Sequence, residues 1–274
     1  MKKHLEYYKY TSPFIEKFTN QNNAICIICY KPNVIWLDFL INFKYYDIYL
    51  IIDDNTVNYK FYKTTYPSIN FIQIDNNDCE NNYFIDVNYV IKKKISGWDK
   101  ALFYFAIKNN NYKNIWFIED DVFFYNEQTI IDLDNNYPDG DLLSAKYEEY
   151  NGTGYNWRWD EIKVNFDLPY YWAMVCCVRI SKVLLSKIQE YASKYKTLFF
   201  LEALFPTITK KHNLKYIVPD ELETVVWRNN WANEDHCSNK SKFQFDWNQS
   251  NINKTNIFHP VKNIDKHIEF RSNI

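Results

Sequence analysis

Ile115-Trp116-Phe117-Ile118-Glu119-Asp120-Asp121-Val122-Phe123-Phe124 sets four apolar residues in a row ahead of three consecutive carboxylates, with a second apolar run behind them. An unbroken apolar run of that length suits a strand buried on both faces, and such a strand delivers its charges where the sheet ends. Acids crowded there repel one another. Placing them at the lip of a core makes physical sense when a cation, or a ligand carrying one, neutralises them. For the triplet alone, a solvated acidic turn after a strand is the competing reading, and the rest of the chain separates the two.

Upstream, strand and helix patterns alternate. Ala24 to Cys29 is a continuous apolar run ending in Tyr30-Lys31-Pro32-Asn33, a turn that can start a helix over Val34–Phe43 with Ile35, Phe39 and Phe43 on one face. Asp47 to Ile52 is the next strand and runs straight into Asp53-Asp54-Asn55, and Ile69 to Ile74 is a third. Ser96 is the expected N-cap of a helix carrying Trp98, Ala101, Leu102 and Phe105 at helical spacing. Downstream, Asp141–Ala145 and Tyr170–Val178 read as strands, Ser181–Tyr195 as an amphipathic helix, and Leu214–Val218 and Glu223–Trp227 as further strands. Between two of these lies Glu148–Leu168, a long loop with Gly152, Gly154 and the cluster Trp157-Arg158-Trp159. Loops of that length inside a domain usually carry function. The alternation predicts an α/β fold with a mainly parallel sheet.

Length and composition narrow the class. The 274 residues suit one large α/β domain, and a net charge of -2 gives no field to draw the protein onto nucleic acid or an anionic membrane. Only four glycines stand beside 24 Tyr and 20 Phe, a bias that A/T-rich codons produce, so the aromatics alone do not imply sugar stacking. Four of the six cysteines sit in apolar runs. Cys26 and Cys29, three apart on a strand, point to opposite faces and suit no shared metal, so the expectation is free thiols in a reducing compartment. The first residues lack the apolar block of a signal peptide, no apolar stretch is long enough to span a bilayer, and a cytoplasmic location is expected. The Asn-x-Ser/Thr sequons at Asn151, Asn239, Asn248 and Asn253 follow from Asn abundance.

In open α/β sheets, ligands bind beyond the carboxyl ends of the strands, near the point where strand order reverses. Three such ends carry polar groups here: Tyr30-Lys31, Asp53-Asp54-Asn55 and Glu119-Asp120-Asp121. Together these residues resemble the GT-A nucleotide-sugar glycosyltransferases, whose DXD-type motif the triplet matches in the Glu-Asp-Asp form of the N-acetylglucosaminyltransferase I type. The resemblance implies a GT-A (Rossmann-like) mixed, mainly parallel sheet flanked by helices in one catalytic domain. A nucleotide-sugar-binding half would cover about 24–135, an acceptor-side half about 136–235, and a tail of about 236–274 would fold back on the site.

It also implies roles. Asp121 would bind Mn²⁺ or Mg²⁺, with His259 from the tail as a further ligand, while Glu119 and Asp120 would bind ribose or sugar hydroxyls or order the site. Asp53 or Asp54 would hold the nucleoside with Tyr30 near the base. Lys100, Lys262 and Arg228 are candidate diphosphate contacts, or else exposed charges. His4, His212, His236 and His267 sit among polar residues and are read as solvated. Transfer with inversion needs a base for the acceptor hydroxyl. Glu202, a lone acid in the apolar run Phe199–Pro206, sits where desolvation raises a carboxyl pKa, with a structural ion pair as the rival reading. Glu148, Glu149 and Asp160 are alternative bases, and Trp157 and Trp159 are candidate acceptor platforms, with core packing the rival for both tryptophans. The function expected is metal-dependent transfer of a sugar from a nucleoside diphosphate donor to the hydroxyl of a glycan or glycoprotein acceptor. A nucleotidyltransferase is the alternative, although no Gly precedes Gly97 to build a phosphate-cradling loop. A sugar- or protein-binding module without catalysis is the other.

Overall fold

Apolar runs set the strands. In the computed structural model, which describes residues 22–88, 95–154, 157–226 and 254–272, β1 (Asn23–Cys29) and β2 (Asp47–Ile52) are buried beyond their first residues, as central strands covered on both faces must be. The edge strand β3 (Ile69–Gln73) is only half-buried, and β4 (Asn114–Glu119) is buried up to its terminal acid. With β5 (Leu142–Tyr150), β6 (Tyr170–Ser181) and β7 (Tyr216–Ile217) they form one sheet in the order β3-β2-β1-β4-β6-β5-β7. All pairings are parallel except those of β6, which runs against both neighbours, β4 and β5. The predicted α/β class with a mixed, mainly parallel sheet is what forms. The chain steps outward from β1 to β3 and returns to pair β4 on the other side of β1, so strand order reverses between β1 and β4. In open α/β sheets such a reversal marks where a ligand is expected, here beyond the ends of β1 and β4.

The helices flank this sheet. In α1 (Val34–Leu40) the Asn33 side chain accepts from the Ile35 N–H at 2.8 Å, and Trp36, Leu37 and Leu40 are buried. Of the expected stripe of Ile35, Phe39 and Phe43, Phe43 is buried while Ile35 and Phe39 are half-buried, and the inward face is led by Trp36, whose indole N–H donates to the Asp120 carbonyl at 2.8 Å. Short α2 (Tyr62–Thr65) and α3 (Asn76–Asn81) bracket β3. In α4 (Gly97–Phe103), Ser96 and Asp99 form the reciprocal capping box, and every residue of the helix is buried. Gly97 is needed for close approach. A Cβ there would lie 2.8 Å from Ile28 Cγ2 and 3.6 Å from Asp53 Cβ, so α4 begins directly on the rim of β1 and β2.

On the other half of the sheet, α5 (Glu127–Asn136) is fastened to β6 by a buried ion pair, Arg179 Nη1 to Asp134 Oδ1 at 2.7 Å. The Asp134 carboxylate also accepts from Trp116 Nε1, Tyr46 Oη and Asn23 Nδ2. The amphipathic α6 (Lys182–Tyr195) begins on Ser181, with Leu184, Ile188 and Tyr191 of its apolar stripe buried and Tyr195 half-buried. The apolar run around Glu202 starts a helix, α7 (Leu201–Lys211), whose Thr207 hydroxyl exchanges 3.0 Å hydrogen bonds with the Tyr171 backbone.

The described part of the C-terminal segment, residues 254–272, packs against the residues that follow β4. Phe123 and Phe258 exchange backbone hydrogen bonds at 2.8 Å, the Val261 N–H donates to the Asp121 carbonyl at 2.7 Å, and α8 (Asp265–Ser272) follows. Phe258, Val261 and Phe270 close with Phe123 and Tyr125 into a small second core. His267, expected in solvent, is buried against Phe123 and Trp36. Its neighbours Ile268 and Glu269 are exposed, whereas His267 and Phe270 turn inward on the same face of α8. Of the expected strand Glu223–Trp227, the described residues 223–226 form one bridge, Val225 to His259, and Trp227 lies outside the described residues. Among the described residues, no helix is long and apolar enough to cross a membrane.

Candidate functional site

The polar strand ends converge on one rim because parallel strands share their carboxyl edge. The ladder of β1 and β2 continues past the strands, with Asp53 N–H donating to Cys29 O at 2.9 Å and Asp54 N–H to Tyr30 O at 3.0 Å. One strand over, Glu119 stands in register with Ile28.

At the end of β4 the three acids are pulled apart chemically. Glu119 Oε1 accepts from Trp98 Nε1 at 2.7 Å, yet burial, then the charge of Asp121, hold its pKa above the ordinary value. Asp120 is raised to about 6 by burial and by its two acidic neighbours. Burial would raise Asp121 too, but the hydrogen bond and charge of His259, with Lys262 nearby, bring it below the usual carboxylate range. His259 Nδ1 donates to the Val226 carbonyl at 3.0 Å, which leaves Nε2 facing the acids, 3.3 Å from Asp121 Oδ1 and 3.9 Å from Glu119 Oε2. Burial disfavours the imidazolium, but Asp121, Glu119 and the Val226 carbonyl outweigh it and raise the pKa of His259.

These residues fit a divalent cation. Oxygen and nitrogen donors meet at one point, two of the acids are held above their ordinary pKa partly by mutual repulsion, and a cation would relieve that repulsion. Sequence reasoning missed one member. Glu119, Cys176 and His259 each offer a donor atom, all within 4.8 Å of one another. An apolar run hides such a thiol, because only the pairing of β6 with β4 brings it to the acids.

Of the remaining rim residues, Tyr30 is exposed just past the end of β1. Asp54 is buried and held well below the carboxylate range, first by the Tyr59 hydroxyl at 2.6 Å, then by Thr56. The alternative of Lys100 as an exposed charge is overturned. It is buried, with Nζ 2.8 Å from Asp53 Oδ1 and 2.9 Å from the Asp53 carbonyl. Lys262 lies at the surface near Asp121. Arg228 lies outside the described residues.

Beyond the acid cluster, Glu202 is buried at the start of α7, and Pro206 has no N–H to give its carbonyl. Burial, then the charge of Glu119, raise Glu202 to about 8, with Arg158 opposing. Its Oε2 has no hydrogen-bond partner among the described residues. The expected rival, an ion pair holding Glu202, is not formed there. Trp157 stacks on Trp172 at 5.3 Å and lines a cavity of about 1150 Å³ with Trp172, Met174, Lys146, Glu148 and Val226. Val226 also receives the His259 N–H, so the cavity borders the acids. Trp159, by contrast, is buried with its face against Tyr150 at 5.0 Å and offers no open platform. Of the alternative bases, Glu148 accepts from Trp172 Nε1 at 3.1 Å in the cavity wall, while Glu149 and Asp160 line neither the cavity nor the acid cluster among the described residues.

No protein-family model and no curated protein sequence matches the chain. Among solved structures it is similar to 4-diphosphocytidyl-2C-methyl-D-erythritol synthase from Anaerococcus prevotii, at 11% identity and a TM-score of 0.42 over 74% of this chain and 87% of that one. An active-site mutant of LgtC aligns at 11% identity and a TM-score of 0.47, over 91% of this chain and 95% of that one. Mouse xyloside xylosyltransferase 1 aligns at 12% identity and a TM-score of 0.39, over 72% and 85%. Overlaps this loose do not establish a family.

Proposed function

We propose that this chain is a metal-dependent GT-A-type glycosyltransferase, moving a sugar from a nucleoside diphosphate to the hydroxyl of a glycan or glycoprotein acceptor with inversion. What carries the reading is the meeting of Glu119, the last residue of β4, and Asp121 just past it with His259 from the tail, whose Nε2 lies 3.9 and 3.3 Å from them, beside the point where strand order reverses. Bound there, a divalent cation would stabilise as a Lewis acid the negative charge that develops on a leaving diphosphate.

The chain's own groups divide the remaining work. Asp121 and His259 hold the ion, and Glu119, fixed by Trp98, faces the same point. Asp120 takes a ribose or sugar hydroxyl. Asp53, braced by Lys100, holds the nucleoside, and Tyr30 lies where the base would stack. Lys262 and Arg228 serve the diphosphate. Lys100 contributes through Asp53 rather than by reaching a phosphate, since it is buried. Glu202 is the base for the acceptor hydroxyl. A carboxyl with a pKa of about 8 keeps its proton more strongly than an ordinary one, so its carboxylate is the better base once ionised. Trp157, in the wall of the cavity, is the acceptor platform, and Trp159 packs edge-on against it at 5.1 Å.

The experiment is hydrolysis and thermal shift with a panel of UDP- and GDP-sugars, with and without Mn²⁺. Cation-dependent turnover of one donor, lost in Asp121→Ala with the fold retained, is the expected result. Full activity in that variant or in excess chelator overturns the reading. Stabilisation by nucleoside triphosphates, but by no nucleoside diphosphate sugar, would favour nucleotidyl transfer instead.

A further inference from the structure

The antiparallel strand β6 presents a thiol to the acid cluster. Cys177 is in register with Ile118 and is fully buried, and side chains alternate along a strand, so Cys176 turns to the other face, beside Glu119. Its sulfur lies within 4.8 Å of a Glu119 carboxylate oxygen and of a His259 ring nitrogen. We propose that Cys176 is a sulfur ligand of the ion held by Glu119 and His259, so that this centre selects a borderline ion such as Zn²⁺ or Co²⁺ over Mg²⁺.

Three observations carry the assignment. The donors come from three separate pieces of chain, β4, β6 and the tail, so their convergence within 4.8 Å is not a by-product of local sequence. Ligands of a tetrahedral ion with bonds of about 2.0–2.3 Å sit about 3.5 Å apart, so a contraction of roughly 1 Å closes the set. The outer contacts that orient such ligands are also in place. Val226 O holds His259 Nδ1 at 3.0 Å and aims Nε2 inward, and Trp98 holds one Glu119 oxygen at 2.7 Å while the other faces the imidazole. A thiolate and an imidazole beside carboxylates form a mixed donor set that suits Zn²⁺ or Co²⁺, whereas Mg²⁺ prefers an all-oxygen shell and keeps its water. On binding, the ion takes the place of the thiol proton, which passes to water.

The inference rests on reading this site as a cation centre, and not on the transfer reaction. The full-length chain, stripped with chelator, is titrated with Co²⁺ and followed by absorbance and calorimetry. Expected is a near-ultraviolet sulfur-to-cobalt charge-transfer band that rises with one equivalent and survives excess Mg²⁺. In Cys176→Ser and Cys176→Ala the band is lost, and Co²⁺ affinity falls by more than the roughly 10–100-fold typical of an outer-shell change. Cys177→Ser keeps both. Thermal unfolding of the metal-free variants checks that they fold.

Co²⁺ binding without the band, or a band that persists in both Cys176 variants, overturns the sulfur ligand. If donor hydrolysis with Mn²⁺ or Mg²⁺ is then unchanged in Cys176→Ser, the proposed function still stands. The band without turnover of any sugar nucleotide does the reverse, and no Co²⁺ binding at all overturns both.

Discussion

His259 Nε2 stands 3.3 Å from Asp121 Oδ1 while, two residues on, the Val261 N–H donates to the Asp121 carbonyl at 2.7 Å. The tail thus grips Asp121 at both its side chain and its backbone. Replacing His259 with Gln removes the imidazole but leaves the backbone pairing of Phe258 and Val261. Divalent-cation affinity is expected to fall by about 10–100-fold or more, with circular dichroism unchanged. Isothermal titration calorimetry against the wild type reads it, and equal affinities would remove His259 from the centre.

Glu202 makes a prediction in two readouts. Its pKa of about 8 lies above the ordinary 4.5, so between those values the folded chain keeps a proton that the unfolded chain has lost. Stability of the metal-free protein therefore falls as pH rises through that window, by up to about 1.4 kcal/mol per pH unit. Glu202→Gln mimics the protonated form and flattens the profile. The same variant is expected to lose about 10²–10⁴ in kcat if the residue is the base. Urea unfolding from pH 5 to 8 separates the two effects, since a flat profile with full kcat makes Glu202 a structural acid only.

The strand of Ile115 to Ile118 and its acids are legible in the sequence because burial on both faces leaves a continuous apolar run, and parallel strands put their ends on one edge. His259 entered only through the family resemblance, since its approach to the acids depends on the pairing of Phe258 with Phe123. What periodicity cannot carry is pairing between distant strands. Cys176 reads as core until β6 is laid antiparallel on β4, and Glu202 reads as an acid in an apolar run of unspecified form until α7 is seen to start there. His267 is misjudged because a short polar helix gives no sign of which side faces a second core. Lys100 is a similar case, since the all-round burial of α4 depends on the rim it meets.

Trp98 joins that helix to the acids, its indole N–H donating to Glu119 Oε1 at 2.7 Å. Trp98→Phe keeps an aromatic ring against Phe117 and Phe205 but withdraws the donor that favours the charged form of Glu119. The pKa of Glu119 then rises further, and cation affinity is expected to drop by about 10–100-fold, as for other contacts that orient a ligand. A titration in which Trp98→Phe binds as wild type would show that Glu119 needs no such support.

The buried imidazole of His267 predicts how the tail responds to acid. It is fully buried, its Nε2 lies 3.3 Å from the Val261 carbonyl, and its other nitrogen has no partner among the described residues. Burial, then the charge of Arg271, lower its pKa from 6.5 to about 3. Between those values the unfolded chain binds a proton that the folded chain refuses. The stability is therefore fully present above pH 6.5 and is lost as pH falls toward 3, at up to about 1.4 kcal/mol per unit. His267→Phe is expected to be less stable at pH 7 by about 1 kcal/mol, for the lost hydrogen bond, but to lose less as the pH is lowered. Because Val261 holds Asp121, the same acid step should loosen the tail first. Hydrogen exchange at the Phe258 and Val261 amides between pH 7 and 4 reads this directly, and protection that does not change in the wild type would contradict it.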